Sequence, residues 1–538
     1  MLKTVTVYVP EEFTDAESDI LRRYFTNLDQ PVFALVNLPE VVKGALFARY
    51  SRSPRSLRRL FLDEFVNDLE IKGDQAVDAT VGVDRAESLY EKVFVEYGDD
   101  SVAQLGGVHL ACEQASNILT KILEWGRLMS YLEQSTRYIS YDERLGGRYR
   151  YYRDPDLLEG KFGTRYVGDM DRMFDSYSSL AEIVTQHVRS TVPKMDGDSD
   201  FVYRQATRAK ALDAVRGLLP ASSLSNVGIY GSGQAYEQLL LRMRAHPLPE
   251  ARVYADMMLT ELRKVIPSFL RRVDVVERGG KWSEYLTTNS ENMNSLVDSL
   301  FGDSIATDVD EVSLVDFDPD GENKIVAAAC YAFSHLPESQ ILAKVEKMST
   351  EEKSEILRNY VGDRENRRHR PGRAFERTDY RFDILSDYGA FRDLQRHRLL
   401  TIEWQPLTPY HGFARPDLVD AAGAADQFNE VMDRSAALYD ALVGDHPSQA
   451  SYAVSMAYRI RYSMQFNARE AMHMLELRSS PQGHPSYRRV ALEMHRLIAE
   501  KAGHHAIANA MTHMTTEAPE LERLDSERRA ESRRSGRS

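Results

Sequence analysis

Apolar residues recur at intervals of three and four along much of the chain, a spacing that predicts amphipathic helices. It predicts helices over residues 40–70, 85–135, 165–190, 200–216, 234–273, 420–442, 450–478 and 484–512. Residues 312–317 and 380–384 alternate apolar and polar side chains instead, as does the N-terminus before a helix start at Thr14, and they predict strands. The pattern therefore predicts a helix-rich α+β fold with small sheets.

The length of 538 residues is enough for at least two domains. Residues 276–310 lose apolar periodicity and contain two adjacent glycines among Asn, Ser, Thr and Asp, which makes them the best linker. We therefore predict a first domain at 1–275, a linker at 276–310 and a second domain at 311–515. Residues 516–538, rich in Arg, Glu and Ser, are expected to be a disordered tail.

A net charge of −14 opposes the phosphate backbone, so no nucleic-acid partner is expected, and an anionic ligand needs local clusters of arginine. Two cysteines, Cys112 and Cys330, cannot form a disulfide framework, and both are expected to be buried thiols. No apolar stretch approaches the roughly 20 residues of a membrane helix. The N-terminus lacks the features of a signal peptide, so we expect a cytoplasmic protein without a membrane partner.

The candidate functional residues are centred on the basic triplet Arg396-His397-Arg398. On its own, such a triplet is typical of a solvent-exposed helix end and needs no functional role. Here Glu376, a strand and a short helix precede it, and Asn467-Ala468-Arg469 followed by Arg478 lies downstream. This order resembles the flavin-dependent thymidylate synthases, in which the triplet lies against the flavin.

The same motif order occurs earlier in the chain, which indicates an internal repeat. Trp125-Gly126-Arg127 aligns with the basic triplet, Gly233 with Asn467, and Arg244 with Arg478. Little else matches, so the repeat is inferred from motif order. The resemblance implies two degenerate tandem copies of the synthase unit.

The two copies keep different parts of the family pattern. The first copy retains the segment Ser-x-x-Glu-x-Ser-x-Arg-Tyr, and it also has an arginine before Leu-Pro that in the family contacts the nucleotide phosphate. These residues imply substrate binding: Ser130, Glu133, Ser135, Arg137, Arg216 and, from the helix end, Arg244. The second copy has lost that segment.

The second copy retains the flavin motifs. The resemblance implies cofactor binding by five residues there: Arg396, His397, Arg398, Asn467 and Arg469. It also implies that Arg478 is catalytic, polarising the uracil ring so that no cysteine nucleophile is needed. Arginine suits both tasks because its planar fork bonds oxyanions in pairs. Core packing through Ala468 and Leu475 also explains part of this helix.

Other candidate sites are weaker. His505 and His513 share one helix face, but no third ligand is evident, so no metal site is predicted. The glycines at 231–233 and 279–280 lack the strand-to-helix setting of a phosphate loop.

By resemblance, the reaction is reductive methylation of dUMP to dTMP, with FAD as cofactor and methylenetetrahydrofolate and NADPH as co-substrates. Since the family is tetrameric, two double-unit chains are expected to form a homodimer that imitates the tetramer. Two alternatives remain open: an enzyme that acts on another pyrimidine nucleotide, and a non-catalytic flavin- or nucleotide-binding homologue.

Overall fold

The structure is a computed structural model that describes residues 8–66, 104, 106–137, 139–194, 199–302, 304, 307 and 309–516. Three predictions lie outside the described residues: the N-terminal strand, Tyr138 of the substrate segment, and the tail beyond residue 516. Residues 67–70 and 85–103 of two predicted helices lie outside them as well.

The described strands form two four-stranded antiparallel sheets of the same order, β1-β2-β4-β3 and β5-β6-β8-β7. The strands are β1 (Val32–Leu35), β2 (Gly107–Ser116), β3 (Met129–Glu133), β4 (Leu224–Ser232), β5 (Val312–Phe317), β6 (Asp379–Asp387), β7 (Thr401–Trp404) and β8 (Arg459–Asn467). The matching order confirms the predicted internal repeat of an α+β unit.

Helices pack against both sheets. The described helices are α1 (Asp15–Leu21), α2 (Glu40–Tyr50), α3 (Leu57–Glu64), α4 (Asn117–Leu123), α5 (Pro155–Glu159), α6 (Gly163–Thr191), α7 (Asp200–Val215), α8 (Gly233–Ala245), α9 (Pro249–Leu262), α10 (Lys281–Phe301), α11 (Gly321–Tyr331), α12 (Glu338–Val345), α13 (Thr350–Val361), α14 (Tyr388–Leu394), α15 (Asp417–Ala421), α16 (Ala425–Val443), α17 (Ala468–Arg478), α18 (Pro485–Glu500) and α19 (His505–Asn509). Within the described residues, no helix has the length and apolarity needed to cross a bilayer.

The chain divides into two compact units, and each holds one sheet. Unit 1 comprises Met1–Ser179, Leu218–Ala306 and Asn429–Ser455. Unit 2 comprises Leu180–Gly217, Thr307–Phe428 and Met456–Ser538. Each unit therefore includes a segment from the other half of the chain. The predicted boundaries at 275 and 311 concern the two sequence copies, and they stay a prediction.

Alternation along the central strands builds the core of unit 2. On β6, Tyr380, Phe382 and Ile384 are buried, and on β8 the buried side chains include Tyr462 and Phe466. Tyr380 lies opposite Phe466, and Ile384 lies opposite Tyr462. Side chains two apart on a strand share one face, so these aromatic and branched residues cover one side of the sheet. In unit 1, a cluster around Phe33, Leu46 and Phe61 covers the corresponding sheet.

Two helix predictions are wrong. Residues 107–133, predicted as part of one long helix, form β2, α4 and β3 instead. β2 is a central strand with a nearly continuous buried run, and such a run cannot be distinguished from a buried helix by periodicity. Residues 459–467, predicted as helix, form β8; the alternation from Arg459 to Phe466 is the period-two signal of a strand.

The predicted linker contains the 21-residue helix α10, none of whose residues is buried. Ser283 and Thr287 donate hydrogen bonds to backbone carbonyl groups of α8, so the first half of α10 packs on that helix within unit 1. Whether residues 276–310 link the two sequence copies stays a prediction.

The junctions between β4 and α8 and between β8 and α17 correct the register of the repeat. Ser232 ends β4 and caps α8, and Asn467 ends β8 and caps α17. Both side-chain oxygens accept a first-turn N–H, so these two residues are equivalent. The predicted pairing, which set the residue after Ser232 opposite Asn467 and Arg244 opposite Arg478, is wrong by one residue. Met243 takes the place of Arg478 in unit 1.

Candidate active site

The basic triplet at residues 396–398 lies in the connection between α14 and β7. Asp387 caps α14 by accepting the backbone N–H of Ala390, and the helix ends at Leu394. His397 is only 7% exposed, whereas Arg396 is half-buried and Arg398 is exposed. The triplet is therefore not a uniformly solvated basic surface, because its imidazole is directed into unit 2.

Both ring nitrogens of His397 are hydrogen-bonded. Arg478 Nε donates to His397 Nε2 over 3.0 Å, and His397 Nδ1 lies 3.0 Å from Glu470 Oε1. Burial lowers the pKa of His397 to about 4, although the hydrogen bond to Glu470 raises it. The ring is thus neutral at pH 7. Because a guanidinium only donates, Nε2 must accept and Nδ1 must carry the proton that Glu470 receives.

Arg478 is the last residue of α17 and is held on three sides. Besides His397, its Nη1 lies 3.5 Å from Asp393 Oδ1, and its guanidinium carbon lies 5.3 Å from the centre of the Tyr487 ring. A cation at this position also interacts favourably with the helix dipole. The predicted catalytic arginine therefore has a defined orientation within unit 2.

Arg216 belongs to unit 2, although the sequence placed it in the first copy. Its side chain is buried, and its Nη1 lies 3.7 Å from Asp393 Oδ2. Among the described residues, its Nη2 has no hydrogen-bond partner. Asp393 thus lies between the guanidinium groups of Arg216 and Arg478. The structure brings the predicted phosphate-binding and catalytic arginines together, and an unsatisfied buried donor can bind an anion.

The other two predicted cofactor residues have contacts within unit 2. Asn467 Oδ1 accepts the backbone N–H of Glu470 over 2.9 Å and caps α17. Arg469 donates to the carbonyl oxygen of Pro371 over 3.0 Å and pairs with Glu376 at 3.3 Å. The role of both residues in flavin binding stays a prediction.

Glu470 is a buried carboxylate between two histidines. His473 Nδ1 lies 3.3 Å from each carboxylate oxygen, and His397 approaches from the other side. Burial raises the pKa of Glu470, but the hydrogen bonds from both histidines outweigh it and lower the pKa to about 2. The carboxylate is therefore ionised at neutral pH.

The potential ligand atoms of Glu470, His397 and His473 lie within 4.8 Å of one another, a spacing that could hold a metal ion. The sequence predicted no metal site. The Arg478 hydrogen bond leaves the His397 proton on Nδ1, the atom a metal would need, so this geometry fits a hydrogen-bonded network better than a coordination site.

The remaining predicted substrate residues lie in unit 1. Ser130 is exposed on β3, and Ser135 Oγ accepts the backbone N–H of Arg137 over 3.3 Å. Glu133 is buried and pairs with Lys121 at 3.0 Å. Arg244 pairs with Asp256, 2.7 Å away, and it is not the equivalent of Arg478, whose place Met243 takes.

A cavity of about 410 Å³ in unit 1 reaches this segment at Gln134. Its wall includes Gln114, a non-glycine residue with a φ of 55° at a bulge in β2. The Gln114 side chain bonds both backbone groups of Val9, and its backbone N–H donates to Asn226. Backbone strain of this kind, about 1–3 kcal/mol, persists where surrounding contacts enforce it, often at ligand sites.

Glu470, His473 and Asp393 were missed by the sequence reasoning. A signal existed for the first two, since Glu-x-x-His places both side chains on one face of a helix. Asp393 gave no such signal, because its proximity to Arg216 and Arg478 depends entirely on the fold.

Comparisons with known proteins agree with this architecture. The model of a family described as thymidylate synthase complementing protein matches residues 47–268 and, a second time, residues 313–503. A UPF0159 protein of Chlamydia pneumoniae is 40% identical over 495 residues, which cover 91% of this chain and 93% of that protein. A UPF0159 protein of Chlamydia muridarum is 39% identical over 488 residues, 90% of this chain and 92% of that protein.

A UPF0159 protein of Thermoplasma acidophilum is 31% identical over 512 residues, 90% of this chain and 97% of that protein. The similarity to these relatives therefore spans both copies. The chain belongs to the thymidylate synthase complementing protein family, a family of thymidylate synthase-like flavoproteins, and it carries the family unit twice.

Proposed function

We propose that the protein is an FAD-dependent thymidylate synthase that methylates dUMP reductively to dTMP, using methylenetetrahydrofolate and NADPH. One observation carries the proposal: in unit 2, Arg478 is held by His397 and Asp393 beside the buried Arg216. A pyrimidine nucleotide presents two features that such a pair of guanidinium groups binds, an anionic phosphate and polar ring carbonyls.

Arg478 is the proposed catalytic residue. When C5 of the uracil ring acts as a nucleophile, negative charge develops on a ring carbonyl oxygen. A preorganised guanidinium stabilises that charge more in the transition state than in the ground state. His397 takes the Nε–H and Asp393 lies beside Nη1, so we assign the Nη2 side of the guanidinium to the substrate.

A thiol nucleophile has no support in this chain. Its two cysteines are Cys112, which is buried, and Cys330, which is half-buried. Burial raises the pKa of both thiols, so neither is an activated thiolate at neutral pH. Activation of the pyrimidine therefore depends on polarisation by arginine.

The phosphate of the nucleotide is assigned to Arg216. Its Nη2 is a buried donor without a partner among the described residues, and a phosphate oxygen would satisfy it. Ser135 and Arg137, in unit 1, remain the second proposed part of substrate binding. Their separation from Arg216 into another compact unit means that the substrate residues are not one continuous set.

The residues at the basic triplet fit an anionic cofactor such as FAD. Arg396 and Arg398 supply two positive charges, whereas His397 is neutral and its nitrogens already have partners. We assign the two arginines to direct contact with the cofactor and His397 to the support of Arg478. When bound, the flavin supplies the transfer of reducing equivalents from NADPH.

The absorbance spectrum of the purified protein and an assay for dTMP test the proposal. We expect a flavin spectrum and dTMP formation from dUMP, methylenetetrahydrofolate and NADPH, with loss of turnover in Arg478→Gln. Flavin binding without dTMP would favour another pyrimidine nucleotide as acceptor. A protein that stays colourless with added FAD would refute the flavoenzyme and favour a non-catalytic nucleotide-binding role.

A further inference from the structure

We propose that Glu470 is a positioning residue: acting through His397, it holds Arg478 in the orientation that the proposed reaction needs. The inference rests on the proposed role of Arg478. It assigns a task to a buried carboxylate that neither the basic triplet nor the substrate segment includes.

The position of Glu470 is fixed at the start of α17. Asn467 accepts its backbone N–H, which places it in the first helical turn, and its side chain is only 4% exposed. A carboxylate buried this deeply loses its hydration and needs hydrogen-bond donors in return. The donors that it meets are the imidazoles of His397 and His473 rather than a lysine or an arginine. Its charge therefore orients rings instead of neutralising a cation.

The His397 tautomer transmits this orientation to Arg478. Glu470 can only accept, so the proton of the neutral ring stays on Nδ1 and Nε2 presents a lone pair. That lone pair receives Nε–H of Arg478 at 3.0 Å. In the other tautomer, Nε2–H would face Nε–H, two donors would oppose each other, and Arg478 would turn away. A carboxylate that selects a histidine tautomer in this way is a known device in hydrolytic triads.

The equivalent positions in unit 1 have lost the whole arrangement. In the motif alignment, Gly126 stands in place of His397. By the corrected register, Ala235 stands in place of Glu470 and Met243 in place of Arg478. None of the three can form the acceptor–imidazole–guanidinium chain. Glu470, His397 and Arg478 thus occur together in one copy and are absent together from the other, as expected of residues that act as a unit.

A double-mutant cycle in the full-length protein separates positioning from a structural role. Glu470→Ala in the wild-type background should lower kcat for dTMP formation by about 10- to 100-fold, with a smaller change in KM for dUMP. In a His397→Gln background, the glutamine carbonyl oxygen can accept Nε–H of Arg478 without Glu470. There, Glu470→Ala should change kcat less than about threefold. An equal loss in both backgrounds would overturn the proposal.

The matched control is Glu352→Ala, which removes a first-turn carboxylate from α13, another helix of unit 2. It should leave kcat unchanged, since its contacts are confined to the cap of that helix. A loss of kcat in this control as large as that of Glu470→Ala would assign the effect to helix destabilisation and overturn the proposal.

Nitrogen NMR of histidine-labelled protein tests the inference independently of turnover. The His397 signals, identified by their loss in His397→Gln, should show a protonated Nδ1 and a bare Nε2, and Glu470→Ala should shift the proton toward Nε2. A wild-type ring protonated on Nε2, or a divalent metal bound to Nδ1 in the purified protein, would overturn the proposal. If no dTMP forms at all, the proposed function fails, and the NMR result still decides the tautomer.

Discussion

Replacing Arg364 with methionine removes the partner of a fully buried carboxylate two residues before Arg478. Arg364 Nη1 and Nη2 each donate to one oxygen of Glu476 over 2.6 Å, and the two side chains are 2% and 0% exposed. Arg364 also donates to the carbonyl oxygens of His369 and Ala510. One residue therefore joins the segment before β6, the helix α17 and the chain after α19.

The expected cost is about 3–5 kcal/mol in the unfolding free energy of unit 2, because a buried charge is left without its partner. After the substitution, Glu476 keeps only the backbone N–H of His513, at 3.2 Å. The double variant Arg364→Met/Glu476→Met should regain most of the loss, since it leaves no unpaired charge. The control Arg358→Met breaks an exposed pair whose side chains are 73% and 62% exposed, and it should cost roughly 0.5 kcal/mol.

Urea unfolding followed by tryptophan fluorescence measures this change. The chain has three tryptophans, of which Trp404 lies on β7 in unit 2, so replacing Trp125 and Trp282 with phenylalanine makes the signal specific for unit 2. A chain of two units need not unfold in one step, and a probe in one unit avoids mixing two transitions. The reasoning would be refuted if Arg364→Met cost no more than Arg358→Met, or if the double variant were less stable than the single one.

Four further predictions concern the flavin, the nucleotide, pH and assembly. Replacing both His397 and Arg398 with alanine should release FAD, whereas Trp125→Ala should retain it; equal loss by absorbance would contradict a flavin site in the second copy. Arg137→Ala should weaken dUMP binding by about 1.5–3 kcal/mol in calorimetry while FAD binding survives. Burial raises the pKa of Glu250 to about 7, so the native state holds a proton that the unfolded chain loses above about 4.5. The unfolding free energy of unit 1 should therefore fall as pH rises between these values. Glu250→Gln should abolish about 2.5 kcal/mol of the fall between pH 5 and pH 8, as measured by urea titration. Light scattering with flavin quantification should give a homodimer with one FAD per chain, and two FAD per chain would exclude the division of labour between copies.

The periodicity of apolar residues identified the helices and strands that bury one face and expose the other. Alternation marked β5 and the start of β6, and the helices α6 and α7 match the predicted residues 165–190 and 200–216 closely. The same reasoning failed at β2 and β8. β2 has a nearly continuous buried run, and in such a run the period that separates helix from strand is weak. β8 does alternate, but it leads directly into α17, and the prediction extended that helix back across the strand.

The motif order identified the repeat and the family, and the structure changed what the motifs mean. His397 was grouped with the flavin residues, yet both of its nitrogens are bonded within unit 2. Asn467 was grouped with them as well, and its side chain caps a helix. A motif shows which residues occur together in the sequence. It does not show which of their hydrogen-bond donors and acceptors already have partners in the folded protein.

The sequence by itself determined the α+β class, the tandem copies and the family, and it proposed the region that carries the arginine residues of the site. Only the tertiary structure decided that Asp393 lies beside Arg216 and Arg478, and that Glu470 meets the ring of His397. The physical reason is distance along the chain: 177 residues separate Arg216 from Asp393 and 73 separate His397 from Glu470. Periodicity reports contacts within a few residues, whereas a buried polar network is defined by donors and acceptors that meet only after the sheet and its helices have packed.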